Sequence, residues 1–285
     1  MEKIPVRHIK ATSGKTDHLR NFSIRTVQDL LLGENLIQEL HRHDFYHILV
    51  LQKGAGFHEI DFRSYEIKDH TVFFVRPGQA HRLELNAASS GYMIQLSPNF
   101  YSSDDKTIHT SLPKVSRQNH YEPEKNTFQK ILSILAYVFQ EYDDKHENYI
   151  EIIKANLGIF FLELLREQNK NQKNNSNLYA QERLEEFMAL LDTHILKHKQ
   201  IASYAKMLHL TSYQLNAITR TLLSKKASEL INEAIILECK RYLLATPNQV
   251  NQIAAYMGYE DVSYFIRFFK KHTGLSPETF RKNFK

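Results

Sequence analysis

The residues with the clearest chemical signal lie near the end of the chain, in IAAYMGYEDVSYFIRFFKKHTGLSPETFR, residues 253–281. Gly258 permits a left-handed turn after a short helix, and Asp261 is placed to cap the helix that follows. On that second helix an aromatic side is backed by a cationic side that carries Arg267 and two lysines. Arginine can bond guanine edges in a major groove and lysines can contact phosphates, so this pattern predicts a DNA-reading helix. The alternative is an ordinary amphipathic helix facing water, but the turn and cap before it favour DNA reading.

A second copy of this arrangement lies upstream. Apolar spacing predicts a short first helix over 201–208, and Thr211 is placed to cap a second helix. On the outer side of that helix, Asn216 could pair with adenine and Arg220 could reach phosphate, whereas Ala217 offers no hydrogen bond. We therefore expect this copy to specify DNA sequence less through polar contacts than the other.

One continuous helix is predicted between the two copies, over residues 228–245. Its apolar residues recur at helical spacing, and the run SELINEAIILECKRYLLA contains no proline or glycine. Such a stiff spacer would hold two separately folded units apart. Its length would determine which turns of a groove the two helices can enter together.

A group of histidines in the first third of the chain could bind a metal ion. His41 and His43 are separated by one residue, His47 follows, and His81 ends the run Pro77-Gly78-Gln79-Ala80-His81. Four neutral imidazoles suit iron, nickel, copper or zinc. The alternative is that they line a pocket, hydrogen-bonded to neighbours or to an organic effector. We favour pocket lining, and predict neither a bound metal nor another cofactor.

The elements that must position these groups change character along the chain. Four β-rich runs predict short antiparallel strands that close into a barrel or jelly roll: 47–52, 56–62, 71–77 and 92–97. After Pro123 the apolar spacing becomes helical, over about 124–142 and over 149–167. The apolar stripe of the second of these helices could pack on the barrel, on the preceding helix or on a second subunit.

Charge and polarity separate two parts of the chain. From Leu178 onward there are 15 Lys+Arg and 10 Asp+Glu, while the preceding residues hold 22 of each, so the net charge of +5 lies wholly in the C-terminal part. That asymmetry favours a polyanion partner, with a merely solvated basic surface as the alternative. Between the parts, NKNQKNNSN (169–177) is wholly polar and predicts a linker.

Other features of the sequence indicate the cellular compartment and the role of the single cysteine. No run approaches the roughly 20 apolar residues that span a bilayer, and the first residues lack the apolar core of a secretory signal. We therefore expect a cytoplasmic protein without membrane contact. The single cysteine, Cys239, excludes an intramolecular disulfide and a cysteine-rich zinc site, and we expect it to be a small buried hydrophobe.

The region from about 180 to 284 resembles the DNA-binding domain of the AraC family of transcription regulators. The resemblance rests on paired helix-turn-helix units, a long joining helix and a Gly-x-Ser-Pro-x-x-Phe-Arg run, here Gly274 to Arg281. It implies sequence-specific binding to adjacent major-groove segments of double-stranded promoter DNA, contact with RNA polymerase, and usually activation of transcription. Two positions depart from the family pattern, because His209 and Lys226 stand where glycine is frequent. The DNA-contacting candidates are Ser212, Tyr213, Asn216, Ala217, Arg220, Asp261, Val262, Ser263, Tyr264, Arg267, Lys270 and Lys271.

The N-terminal half is similar to the cupin-like sensor domain of many such regulators. In metal-binding cupins the position of His47 usually holds a glutamate. The resemblance implies a small-molecule effector, with His41, His43, His47 and His81 as candidate contacts. We further hypothesise a homodimer in which the helices over 124–168 associate.

The predicted fold is therefore α+β and multidomain, and the predicted function is transcription regulation without enzymatic activity. We predict a cupin-like sensing and dimerisation domain over 1–168 (barrel about 20–110, helices about 124–168), a polar linker over 169–178, and an all-α DNA-binding domain over 179–285. Within the last, the first helix-turn-helix spans about 200–224, the joining helix 228–245 and the second helix-turn-helix about 250–272. One rival is a metal-dependent cupin enzyme with an accessory helical domain. Another is a sensor or scaffold that no longer reads DNA, for which the missing arginine at Ala217 is the hint.

Overall fold

The computed structural model describes residues 6–9, 21–101, 106–171 and 178–284. These residues divide into two compact units, one within Pro5–Lys173 and the other within Asn174–Lys285. The first unit combines sheets with helices and the second is all-helical, as predicted for an α+β multidomain chain. None of the described helices combines the length and the apolarity that crossing a membrane requires.

Two five-stranded sheets form the framework of the N-terminal unit. One consists, in spatial order, of β1 (Val6–Arg7), β3 (Leu36–His43), β8 (Ala80–Leu85), β5 (Gly56–Ile60) and β6 (Arg63–Ile67). The other consists of β10 (His120–Tyr121), β7 (Thr71–Val75), β4 (Tyr46–Lys53), β9 (Ser90–Leu96) and β2 (Phe22–Thr26). Neighbouring strands are antiparallel except for the parallel pair β1 and β3. A short helix, α1 (Val27–Leu31), follows β2.

The central strand β4 shows how the sequence builds this sandwich. Side chains alternate between the two faces of a strand. Leu49 and Leu51 therefore lie in the core between the sheets, whereas Ile48 and Val50 face a second core against helices. With both faces covered, the strand is a continuous apolar run.

Three of the predicted strands end earlier than the sequence patterns indicate, and the run 92–97 stops at Leu96. The run 56–62 stops at Ile60, because Asp61 and Phe62 take positive φ values of 49° and 65° in the turn into β6. The run 71–77 stops at Val75, before Pro77 and Gly78. A proline has no N–H with which to continue the ladder.

Three helices cover the outer face of the second sheet: α2 (Lys106–Val115), α3 (Lys125–Asp144) and α4 (Tyr149–Asn171). The apolar stripe of α4, which includes Leu157 and Phe160, is buried in the same core as Leu135 of α3 and Phe74 of the sheet. Of the alternatives left open by the sequence, packing within its own unit is therefore the one observed. Because α4 runs to Asn171, the first three residues of the predicted linker are helical. Residues 172–177 of that linker lie outside the described residues.

The C-terminal unit has seven described helices around one hydrophobic core. They are α5 (Leu178–His194), α6 (Ile201–Met207), α7 (Ser212–Leu223), α8 (Ala227–Ala245), α9 (Val250–Tyr256), α10 (Val262–Thr273) and α11 (Pro277–Phe284). The prediction of two separately folded units on a bare spacer is wrong, because Leu215, Ile235, Cys239 and Phe265 belong to a single cluster. Helix α8 provides the middle of that core, because eight of its residues, among them Ile235, Cys239 and Leu243, are buried. Burial of this kind stabilises a helix more than its length alone.

Candidate DNA-reading surface and candidate effector site

Two helix-turn-helix motifs, α6–α7 and α9–α10, share the same turn geometry. His209 has φ 54° after α6 and Gly258 has φ 72° after α9, so a left-handed residue reverses the chain at both places. In each turn the next amide donates a hydrogen bond five residues back, Leu210 N to Ala205 O at 2.8 Å and Tyr259 N to Ala254 O at 2.9 Å. The histidine thus adopts the conformation that glycine takes without steric cost.

The second helix of each motif begins at the predicted cap. Thr211 Oγ1 accepts from Gln214 N at 3.2 Å, while Thr211 N donates to Gln214 Oε1 at 2.8 Å, which completes a capping box. Asp261 Oδ1 accepts from Ser263 N at 2.7 Å. At the other departure from the family pattern, Lys226 has φ −73° and caps α8 with Glu229, so glycine is not needed there.

Helix α10 presents a cationic face to solvent. Phe265 and Phe269 are fully buried, whereas Arg267 is 70% exposed at its side chain and lies 3.8 Å from Asp261 Oδ2. An exposed ion pair of this kind contributes little stability, but it keeps the guanidinium near the start of the helix. The other exposed candidates on this face are Ser263, Tyr264, Lys270 and Lys271, and Val262 is half-buried.

Helix α7 presents a different face. Tyr213 is 84% exposed, and Ala217 and Arg220 are exposed beside it, while Ser212 is half-buried. Asn216 is half-buried, and its Oδ1 accepts from Ala227 N at 3.0 Å, at the first residue of α8. Its carbonyl oxygen therefore holds α7 against α8. If Asn216 contacts adenine, as the sequence predicts, it does so with its side-chain oxygen already engaged in this hydrogen bond within the protein.

Arg281, the last residue of the motif that carried the family resemblance, connects two segments of the C-terminal unit by hydrogen bonds. Its guanidinium donates to the carbonyl oxygens of Leu243, at 2.9 Å, and of Asn248. These two acceptors lie at the end of α8 and just before α9. The side chain thus fixes the position of the second motif relative to the joining helix.

In the N-terminal unit, the four predicted histidines come together between the two sheets. His41 and His43 lie on β3, His47 lies on β4, and His81 lies on β8, where it is the cross-strand partner of His41. All four are almost completely buried. Residues two apart on a strand share a face, which explains why His41 and His43 point to the same interior.

A fifth histidine, His58 on β5, joins this cluster and is absent from the sequence prediction. It is fully buried, and its Nε2 lies 2.9 Å from His81 Nδ1. The signal was present in the run 56–62, where strand alternation puts His58 on the same face as the core residue Ile60.

Hydrogen bonds account for only part of the imidazole nitrogens. His43 Nε2 lies 2.6 Å from His81 Nε2, and His41 Nδ1 lies 2.6 Å from the carbonyl oxygen of Glu39. Among the described residues, the remaining buried nitrogens of this cluster have no partner: Nε2 of His41, Nδ1 of His43, both of His47, and Nδ1 of His58. Buried polar atoms without partners are rare in folded proteins and call for a ligand, a water or an ion.

Burial keeps these imidazoles neutral at physiological pH. It lowers the pKa of His43 to about 2 and that of His47 to about 4, and positive charge on the neighbouring histidines or on Arg7 would disfavour their protonation further. Burial also lowers the pKa values of His41, His58 and His81. A neutral imidazole has one nitrogen with a lone pair, and the unpartnered nitrogens of His41 and His47 leave such a lone pair available to a ligand.

A cavity of about 670 Å³ opens on this cluster. His43 and His47 form part of its wall, together with Phe45, Met93 and the amide side chains of Gln38 and Gln95. Arg7 and Arg25 also line it, and among the described residues neither has an acidic partner at ion-pair distance. The size and the mixture of apolar and polar groups are those of a small-molecule site.

Comparison with known proteins assigns a family model to each unit. A model described as "AraC-like ligand binding domain" matches residues 35–157, which run from just before β3 into α4. A model described as "Helix-turn-helix domain" matches residues 204–283, which run from within α6 to the end of α11 and include the whole of α7 to α10.

Several known proteins match most of the length of the chain. The chain is 22% identical over 250 residues to the HTH-type transcriptional activator RhaS of Escherichia fergusonii, covering 85% of this chain and 87% of that protein. It is 21% identical over 254 residues to the HTH-type transcriptional activator RhaR of Yersinia pseudotuberculosis, covering 86% and 84%. The crystal structure of ToxT from Vibrio cholerae O395 matches 93% of this chain and 98% of its own, at 16% identity and a TM-score of 0.42.

Proposed function

We propose, on the premise that this chain belongs to the AraC family of transcription regulators, that it binds promoter DNA sequence-specifically and activates transcription in response to a small-molecule effector. Because the AraC family consists of transcription regulators, we do not propose the alternative function of a metal-dependent cupin enzyme. Activation is proposed because RhaS and RhaR are named activators.

The observation that carries the DNA proposal is the doubled motif with a cationic exposed face on α10. We assign base reading to Arg267, whose exposed guanidinium can bond the O6 and N7 of guanine. Lys270 and Lys271, in the last turn of the same helix, would contact phosphates. In the first motif, Tyr213 and Ala217 offer apolar contact with a thymine methyl, and Arg220 offers a phosphate contact.

The effector is proposed to bind in the cavity beside the histidine cluster. Arg7 and Arg25 favour an effector with an acidic group, because a guanidinium pairs well with a carboxylate or a phosphate. Such a ligand alters transcription only if it binds one functional state of the protein more tightly than another.

We also propose a homodimer, formed through α4. The predicted apolar stripe is already buried in its own unit, but Ile159 and Leu162 are 50% and 39% exposed on another face, three residues apart. Exposed apolar residues at helical spacing are suited to packing against the same helix of a second copy.

An operator-selection experiment followed by binding measurements tests the DNA proposal. Duplexes selected from a random pool by the full chain provide the operator. Arg267→Ala should then weaken operator binding by about 1 to 3 kcal/mol and relax base preference at one position. Lys271→Ala should weaken binding to all duplexes and reduce the salt dependence by about one ion.

Lys197→Ala is the matched control, because it removes one exposed positive charge of the same unit outside α7 and α10. It should leave base preference unchanged. Equal base preference for wild type and Arg267→Ala, or failure to enrich any sequence, would contradict the proposal.

A further inference from the structure

We propose that Lys199 is a positioning residue, which links the first helix-turn-helix motif to the turn of the second and so sets the operator spacing that the chain accepts. Lys199 lies in the loop before α6, the first helix of the first motif. Its side chain reaches Gly258 and Tyr259, in the turn between α9 and α10. The consequence for operator spacing rests on the DNA-binding function proposed above, whereas the contact itself lies wholly within the C-terminal unit.

Two groups hold the ammonium group of Lys199. Its Nζ donates a hydrogen bond to the carbonyl oxygen of Leu196 at 3.1 Å, and it lies 5.4 Å from the centre of the Tyr259 ring. A cation over the face of a tyrosine ring is attracted by the charge distribution of the ring. Burial lowers the pKa of Lys199, so the ammonium is partly withdrawn from water, where such an attraction is stronger than at an open surface.

The turn of the second motif leaves room for this side chain because it contains glycine. A Cβ built on Gly258 would lie 2.9 Å from Lys199 Nζ and 3.4 Å from the carbonyl oxygen of Leu196. The lysine head group therefore occupies the space that a side chain at Gly258 would need. Glycine at this position permits both the left-handed turn and the close approach of the lysine.

Tyr259 connects this contact to the DNA-reading helix α10. Its ring centre lies 5.4 Å from that of Phe265, 5.7 Å from that of Phe268 and 6.0 Å from that of Tyr264. All three residues belong to α10, and Phe265 is fully buried in the core of the unit. Closely packed rings move together, so a displacement of Tyr259 would displace α10.

The backbone that bears Lys199 is fixed to the first motif. Tyr204 of α6 is fully buried, and its hydroxyl donates to the carbonyl oxygen of His198 at 2.7 Å. His198 directly precedes Lys199. The two motifs are therefore linked by a route outside α8, which runs from Tyr204 through Lys199 to Tyr259.

Such a link affects DNA binding because both reading helices must enter the groove together. A turn of about 10–10.5 base pairs rises about 34–36 Å, so one inserted base pair moves two segments about 3.4 Å apart and rotates them by roughly 35°. A chain in which α10 is held against the first motif discriminates strongly between such spacings. Loss of the link should weaken that discrimination.

A distance measurement by electron paramagnetic resonance tests the link without DNA. Nitroxide labels on Thr221→Cys in α7 and His272→Cys in α10 use two exposed positions, while the buried Cys239 does not react in folded protein. The labelled full-length chain is diluted with unlabelled protein, so that only distances within one chain are measured. Lys199→Met keeps the apolar stem but removes the charge, and it should shift or broaden the distance distribution. A distribution identical to that of the wild-type chain would overturn the proposal.

Operator variants test the consequence for spacing. One base pair is inserted or removed between the segments read by α7 and α10 in the selected operator, and the base position relaxed by Arg267→Ala identifies the α10 segment. Lys199→Met should reduce the preference for the selected spacing by about two- to fivefold, the size of one partly exposed cation–π contact. A preference equal to that of the wild-type chain would overturn the proposal. If no operator is enriched, the DNA-binding function fails, and the distance measurement still decides whether Lys199 links the two motifs.

Lys197→Met is the matched control, because it makes the same substitution at an exposed position two residues away in the same loop. It should match the wild-type chain in both experiments. Equal effects of Lys197→Met and Lys199→Met would attribute the result to net charge and overturn the proposal. Circular dichroism confirms folding, and if Lys199→Met fails to fold, Lys199→Gln removes the same charge and should give the same two results.

Discussion

His209 carries backbone strain that a single substitution should relieve. It has φ 54° at the turn of the first helix-turn-helix, where the second has Gly258. A residue with a Cβ pays about 1–2 kcal/mol for the left-handed region, while glycine gives back about 0.5–1 kcal/mol through the entropy of the unfolded chain. The side chain of His209 is exposed, so its removal costs no buried contact. His209→Gly should therefore stabilise the C-terminal unit by about 0.5 to 1 kcal/mol.

The single cysteine provides a reporter for that unit alone. Cys239 lies in the core on α8, is 0% exposed, and burial raises the pKa of its thiol, so it reacts with a thiol reagent only when the unit unfolds. Brief labelling across a urea series gives the unfolding midpoint. With an m-value of about 1.5 kcal/mol/M, His209→Gly should raise the midpoint by about 0.3 to 0.7 M.

Two further variants separate backbone strain from side-chain effects. His209→Ala keeps a Cβ and hence the strain, so its midpoint should match wild type. Gly258→Ala should destabilise the unit by about 1–2 kcal/mol and so lower the midpoint by about 0.7 to 1.3 M, because it introduces the same strain and its Cβ would lie 2.9 Å from Lys199 Nζ. Equal unfolding midpoints for His209→Gly and His209→Ala would contradict the idea that backbone strain at this turn lowers the stability of the C-terminal unit.

Three other predictions test the remaining features. In the unfolded state of chelator-treated protein, histidine binds a proton below its ordinary pKa of 6.5, while His43 and His47 stay neutral in the folded state. The free energy of unfolding should therefore fall by about 2 kcal/mol per histidine between about pH 7 and about pH 5. Peroxide oxidation of the buried Met93 across a urea series measures the unfolding midpoint, and a midpoint that does not change with pH would contradict the prediction. Asn216→Ala should destabilise the C-terminal unit by about 1 kcal/mol in the Cys239 assay, whereas a residue that serves only to contact DNA would leave the midpoint unchanged. Ile159→Asp should convert a dimer into a folded monomer in sedimentation equilibrium, and an intact dimer would refute the α4 interface.

The features predictable from sequence are those encoded by neighbouring residues. The cap by Thr211 and the left-handed turn at Gly258 depend on segments of a few residues, and the structure has both as predicted. Burial of Cys239 follows in the same way from the apolar spacing of its helix. The sequence analysis did not predict β3. The pairing of this strand with β8 shifts register between Gln38 and His41, and the shift interrupts the alternation of side chains.

Features that depend on contacts across the fold were not predictable in this way. The sequence predicts Asn216 as an outward-facing polar residue of α7. In the structure its side chain accepts a hydrogen bond from Ala227 N, at the start of α8. Similarly, the spacing of the histidine motif gives no sign that His58 contacts His81, because β5 and β8 pair directly in the sheet but are separated along the chain by β6 and β7. The sharing of one core by both motifs likewise emerges only when α8 is packed.

The duplication within the C-terminal unit separates its scaffold from its reading surface. Helices α7 and α10 have the same length, and position 217 of one corresponds to position 267 of the other. At one buried position both copies have an apolar residue, Leu215 and Phe265, whereas at one exposed position they differ, with Ala217 in α7 and Arg267 in α10. A side chain without hydrogen-bonding groups can distinguish bases only by apolar contact and shape, whereas arginine distinguishes guanine by paired bonds. The two halves of the operator should therefore differ in stringency, with the segment read by α10 the more strictly specified.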